Sequence, residues 1–248
     1  MDEIFSRNEL YWGKDAGKIL ASKHAAVFGL GGVGGYCAEA LARAGVGRLT
    51  IVDFDTVSPS NINRQLAALH STCGRKKTDV TAERLKDINP DIELIVIDDF
   101  YTDEEEILEG VDFAADAIDT LRAKISLLEA CYKKRIPVIS SMGAGNRIAP
   151  EELYISDISE IENKNAPFVS NCIYQLKKLG IEKGITAVAS RERPFSREKI
   201  QNKETVIKKS GEKLEFTKIT PASTPFVASC GGIFMASYIV RKFIEGIK

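Results

Sequence analysis

A glycine-rich turn, Gly29-Leu-Gly31-Gly32-Val-Gly34, constrains the fold of this chain more than any other feature of its sequence. Residues 24–30 before it read as an apolar strand, and residues 34–44 after it read as a helix. Without side chains the backbone can turn sharply there and approach a phosphate or ribose, while the helix start offers unpaired N–H groups. A bare G-x-G-x-x-G is weak evidence, and the strand–turn–helix setting is what gives it weight. Tight strand–helix packing alone would ask for the same glycines.

The pattern that follows fits a parallel sheet wound with crossover helices. Further strands are expected at 48–52, 93–97, 113–116 and 137–141, with helices at 77–89, closed by Pro90, and at 122–135. This is an α/β, doubly wound, Rossmann-like nucleotide-binding core over residues 22–141. The 248 residues read as one domain, whose 142–248 part is a less regular C-terminal extension. In that extension strands are expected at 153–155 and 185–189 and a helix at 167–179. Residues 191–218 are charged and apolar-poor, which predicts a mobile loop or crossover. The apolar run 225–240 is short of the roughly 20 residues of a membrane span and reads as a buried helix, so no stable membrane insertion is expected.

Net charge narrows the partners. A value of −1 gives no global pull toward nucleic acid, so any basic face must be local. The five cysteines at 37, 73, 131, 172 and 230 form no Cys-x-x-Cys pair, which argues against both a zinc ribbon and a disulfide framework. With a charged N-terminus unlike a signal peptide, a cytoplasmic protein is expected.

Asp53, at the end of the second strand, is placed to accept hydrogen bonds from ribose hydroxyls. Up to this point a nicotinamide dehydrogenase fits equally well. The dense polar stretch from Asp55 to Gln65 favours a triphosphate instead, because breaking one builds negative charge on the phosphate oxygens. Arg64 offers a planar fork to those oxygens and Lys77 a compact second charge, while Asn61, Asn63 and Gln65 can orient oxygens without changing net charge. Asp119, after the fourth strand, is a candidate Mg²⁺ ligand, with a helix cap as its plainer alternative.

GLGGVG, RAGVGRLTIVDFDTVSPSNINRQ, GRKKTDV and AIDT, in this order between residues 22 and 120, resemble the ThiF/MoeB/ubiquitin-E1 superfamily. The resemblance implies ATP as cosubstrate, with Gly31 and Gly32 under the nucleotide and Asp53 on the ribose; Gly29, Gly34 and Asp55 are further candidate cofactor-binding residues. It further implies Asn61, Arg64 and Lys77 on the phosphates and Asp119 near Mg²⁺, with Asn63 and Gln65 as further candidate cofactor-binding residues. It implies a homodimer in which an N-terminal arginine, matched here by Arg7, reaches the neighbouring nucleotide. The opening Arg7-x-Glu-Leu, the Ser141–Gly145 run and the 179–188 segment are similar to the tRNA threonylcarbamoyladenosine dehydratase branch. That branch implies a tRNA substrate whose threonylcarbamoyl carboxylate is adenylated and cyclised, with the basic 191–218 segment as a tRNA contact. It also admits sodium or potassium and a sulfur-relay protein. Activation of a ubiquitin-like or sulfur-carrier tail is the alternative, and Cys172 is the thiol such an alternative would use.

Overall fold

Seven strands form the main sheet: β1 (His24–Phe28), β2 (Arg48–Val52), β3 (Glu93–Ile97), β4 (Phe113–Asp116), β5 (Val138–Ser141), β6 (Leu153–Asp157) and β7 (Thr186–Ser190). The computed structural model describes residues 3–245 apart from 163, 165, 199 and 209. Strand order is β3-β2-β1-β4-β5-β7-β6, and every neighbouring pair is parallel except β6 with β7. The chain steps outward from β1 to β3, then returns to the far side of β1 as β4. Strand order therefore reverses between β1 and β4, the place where open α/β sheets form a ligand crevice beyond their strand C-terminal ends.

Helices α1 (Ser6–Trp12) and α2 (Lys14–Ala21) precede the sheet, followed by α3 (Gly34–Ala44), α4 (Lys77–Ile88), α5 (Leu121–Lys134), α6 (Pro167–Lys178) and α7 (Pro225–Phe243). All five residues of β1 are buried, because alternate side chains enter two cores. Ala25 and Val27 face the layer that holds Leu41 of α3 and Met235 and Ile239 of α7, whereas Ala26 and Phe28 face Leu127 and Leu128 of α5. Burial on both faces explains why these strands read as apolar runs rather than alternations.

Among the described residues, one helix, α7, is long and apolar enough to cross a membrane. Its buried residues instead lie on α3, with the Gly231–Gly232 pair against Val33 and Cys37. A Cβ on Gly232 would sit 2.2 Å from Val33 O, so only glycine allows the two helices this approach. The contacts Gly32 to Ala228 and Cys37 to Gly232 make the helices parallel, and their N-termini share the crevice edge. Helices α4 and α5 begin at the same edge, after Asp55 and after the Asp116 turn.

The charged 191–218 stretch corrects the expectation of a loop. Within it β8 (Ile200–Ile207) pairs with the antiparallel β9 (Lys213–Thr220), which ends just beyond it, in a two-stranded hairpin. Its root is held by Asn146, whose N–H donates to Ala222 O at 2.7 Å and whose Oδ1 accepts from Ala222 N at 2.8 Å. Its tip is held by Lys208, which donates to Glu104 and, at 2.6 Å, to Thr102 Oγ1. Leu214 packs between these ends with Phe54, Phe100, Ile118 and Ala123. The hairpin thus spans the C-terminal edge of the sheet.

Candidate active site

The crevice floor is the glycine turn. Strand β1 stops at Phe28, two residues earlier than its apolar run suggests, because Gly29 has φ +87° and donates its N–H to Val52 O at 2.8 Å. A Cβ on Gly34 would fall 1.7 Å from Gly29 O, so the tightness of the turn requires glycine. The neighbouring carboxylate is spent on backbone: Asp53 Oδ2 accepts from Leu30 N at 2.6 Å and Oδ1 from Asp55 N at 2.8 Å. Burial pushes the Asp53 carboxyl above its ordinary range, against the pull of Lys77 and those two N–H groups. Each of its oxygens retains acceptor capacity for a second donor.

Two cations stand over this floor. Lys77, the first residue of α4, is buried and donates to Asp55 Oδ2 at 2.7 Å, while the Asp55 side chain is 47% exposed. Arg64 lies against Gly32, within 3.3 Å of a Cβ built there, and donates through Nη1 to Ser60 O and Asn63 Oδ1, each at 2.9 Å. Burial lowers the Arg64 pKa, and the charge of Asp119 opposes that shift, so the two side chains face one another electrostatically. The cap position of α5 is Thr120, not Asp119.

Gln65 is 8% exposed and lies beside Gly31, where a built Cβ would be 3.7 Å from Nε2. Its Oε1 is buried without a hydrogen-bond partner, a state that costs about 1–3 kcal/mol and suits a site that takes a polar ligand. Asn61 and Asn63 are engaged within the protein. Asn61 Oδ1 accepts from Ser58 N at 3.1 Å, and Asn63 Nδ2 donates to Ser223 O at 2.9 Å, which fixes the segment leading into α7.

The structure therefore brings Gly29, Gly31, Gly32, Gly34, Asp53, Asp55, Asn61, Asn63, Arg64, Gln65, Lys77 and Asp119 to one edge, and it does not bring Arg7 there. Arg7 is exposed on α1, whose neighbour Asn8 donates to Arg43 O and whose leading Phe5 packs on Gly45. That anchor is at the far end of α3, an 11-residue helix that spans roughly 16 Å. Cys172 is fully buried, and burial pushes its thiol up to about 12, so in this structure it is a packing residue.

The sequence reading missed a cluster beneath the crevice. Lys124, Asp116 and Ser140 are all fully buried, and Asp116 Oδ2 accepts from Lys124 Nζ at 2.5 Å and Ser140 Oγ at 2.6 Å. The signal was present: 124, 127, 128 and 131 form the inward stripe of α5, and a charged residue on such a stripe needs a buried partner.

The ThiF family profile matches residues 5–154. Bacillus subtilis tRNA threonylcarbamoyladenosine dehydratase is 41% identical over 252 residues, covering 98% of this chain and 96% of that one. The Escherichia coli TcdA structure in complex with ATP has a TM-score of 0.85 at 29% identity, covering 98% of this chain and 94% of that one. Escherichia coli molybdopterin-synthase adenylyltransferase is 33% identical over 128 residues, 51% of each chain.

Proposed function

This chain belongs to the ThiF family, and from that premise we propose that it is an ATP-dependent enzyme acting on threonylcarbamoyladenosine in tRNA. It adenylates the threonylcarbamoyl carboxylate and closes it to the cyclic, dehydrated form. The observation that carries this reading is the end-to-end correspondence with a protein of that name, where an adenylyltransferase for a sulfur carrier corresponds over only half the chain.

A carboxylate is a poor electrophile at neutral pH. In the first step its oxygen attacks the α-phosphorus of ATP and pyrophosphate leaves. In the second, a nucleophile already present on the threonylcarbamoyl group attacks the activated carbonyl and AMP leaves, so the nucleoside loses the elements of water. Such a route asks for charge stabilisation and positioning more than for an enzyme nucleophile. This agrees with the sealed thiol of Cys172.

The geometry supports the following roles. The glycine turn and the start of α3 lie under the nucleotide, and Asp53 accepts from ribose hydroxyls with its remaining lone pairs. Lys77 exchanges its bond to the half-exposed Asp55 for phosphate oxygen, and Arg64 clamps the opposite side. Gln65, Asn61 and Asn63 order the polar wall. Asp119, facing Arg64 at the crevice, would hold Mg²⁺ together with the nucleotide phosphates. When bound, Mg²⁺ neutralises charge developing on the leaving pyrophosphate. Arg7 completes the site across a homodimer, since the exposed Ile4, Leu10 and Tyr11 of the same N-terminal segment are suited to burial against a second copy. Neither a monovalent cation nor a sulfur-relay partner is required by the two steps. We assign the protein to the cytoplasm, in keeping with its five free cysteines.

The test is direct. The protein is incubated with ATP, Mg²⁺ and tRNA carrying threonylcarbamoyladenosine, and the digested nucleosides are weighed. Loss of one water from the modified nucleoside, with AMP released, is the expected result. An unchanged mass together with ATP–pyrophosphate exchange that depends on a carrier protein would replace this reading by the alternative.

A further inference from the structure

We infer that the sealed Asp116–Lys124–Ser140 cluster is a positioning device for the adenylating site, holding the Ala117–Asp119 turn against the glycine turn so that Asp119 meets the phosphates opposite Arg64. The inference rests on the function proposed above. Asp116 is the last residue of β4, and its two oxygens divide their work. Oδ2 binds Lys124 of α5 and Ser140 of β5, and Lys124 Nζ also reaches Ser140 Oγ at 3.1 Å. Oδ1 accepts from Ile118 N at 3.0 Å. One carboxylate thus ties two strands and a helix to the turn that carries Asp119.

That turn forms a wall of the crevice. A Cβ on Gly29 would meet Ala117 O at 2.8 Å and Ile118 N at 3.3 Å, and one on Gly34 would be 3.1 Å from Ala117 Cβ. Ala117 N also donates to Phe28 O at 2.9 Å. A displacement of this peptide moves the floor and Asp119 together. The α5 side is fixed as well, since Lys124 N donates to Thr120 O at 3.0 Å.

Stability does not explain the cluster. A fully buried ion pair rarely outperforms apolar residues of the same volume, because both charges lose their hydration. Apolar packing is abundant around it, with Leu127, Leu128, Cys131 and Cys172 in the same core. What the charges add over apolar side chains is direction: three donors converge on one carboxylate and define where the turn leaves the strand.

The test is the triple variant Asp116→Val/Lys124→Met/Ser140→Ala, which replaces the cluster with apolar groups. Three readouts are compared with the unaltered protein. The thermal midpoint is expected to hold or rise. Amide exchange at residues 117–120 is expected to accelerate about 10-fold or more as Ile118 loses its acceptor. The gain in ATP affinity on adding Mg²⁺, measured by calorimetry without tRNA, is expected to shrink by about 10-fold, with turnover falling about 10- to 100-fold, the range seen when outer partners of metal ligands are removed. A folded triple variant with unchanged exchange, Mg²⁺ coupling and turnover would overturn the inference. Should the triple variant fail to fold, Ser140→Ala decides: a loss of about threefold in Mg²⁺ coupling supports the inference, and an unaltered value sinks it. Failure of the proposed function is seen separately, as an unaltered protein that binds Mg²⁺ and ATP but never dehydrates the nucleoside.

Discussion

Two lysines bonded to aspartates flank the same crevice, and they are built for opposite purposes. Lys77 is buried, but its partner Asp55 is 47% exposed, so this pair can open and hand the ammonium to another anion. Lys124 and Asp116 are both at 0% exposure, and the pair gains a third partner in Ser140. An ion pair with one side in solvent is a reserve of binding capacity; an ion pair closed on all sides is a rigid joint.

The sharpest way to break this contrast is Lys77→Met. The Asp55 carboxylate left behind can rehydrate, so the unfolding midpoint is expected to stay close to that of the unaltered protein. AMP formation is expected to fall by about 10³-fold or more, equivalent to roughly 4 kcal/mol of transition-state stabilisation. Turnover within tenfold of normal would remove Lys77 from the chemistry. The mirror experiment is Lys124→Met alone, which strands the Asp116 carboxylate in the core and should cost about 3–5 kcal/mol in denaturant unfolding. A loss below about 1 kcal/mol, typical of exposed pairs, would make the two lysines equivalent after all.

A third pair, at the hairpin tip, lies between these extremes and should give the smallest effect. Burial pushes the Glu104 carboxyl up, but hydrogen bonds from Lys208 and from Thr102 outweigh it and hold the group at about 2. A carboxylate depressed below its ordinary value of 4.5 contributes stability that is complete above about pH 5 and is lost as pH falls through 2. Lys208→Met should therefore flatten the fall in stability across that window and leave neutral-pH unfolding little changed. Identical acid-unfolding curves for the two proteins would count against the tip contact.

The first five strands, the glycine turn and most crevice residues were legible because each is local: a run of apolar residues, a break at glycine, an acid or base at a strand end. The hairpin was not, although Leu214 and Phe216 alternate in β9 and Ser210-Gly211 marks a turn. Its charged composition argued for a solvated loop, and what holds it is distant, at Asn146 and Glu104. Lys124 was hidden for a related reason. A lysine in a helix is ordinarily read as solvent-facing, and only the placement of Asp116 and Ser140 on adjacent strands turns it inward. Arg7 is expected at the neighbouring protomer's nucleotide, and its exposed place on α1, away from its own crevice, leaves that expectation open.

The shared starting edge of α3, α4, α5 and α7 gathers four sets of unpaired backbone N–H groups around one crevice. Each helix start acts as roughly half a positive charge, and four of them point the same way. Because that field is screened by salt and fades within about one helical turn, it acts on an anion once it is seated in the crevice and does not draw one in from a distance.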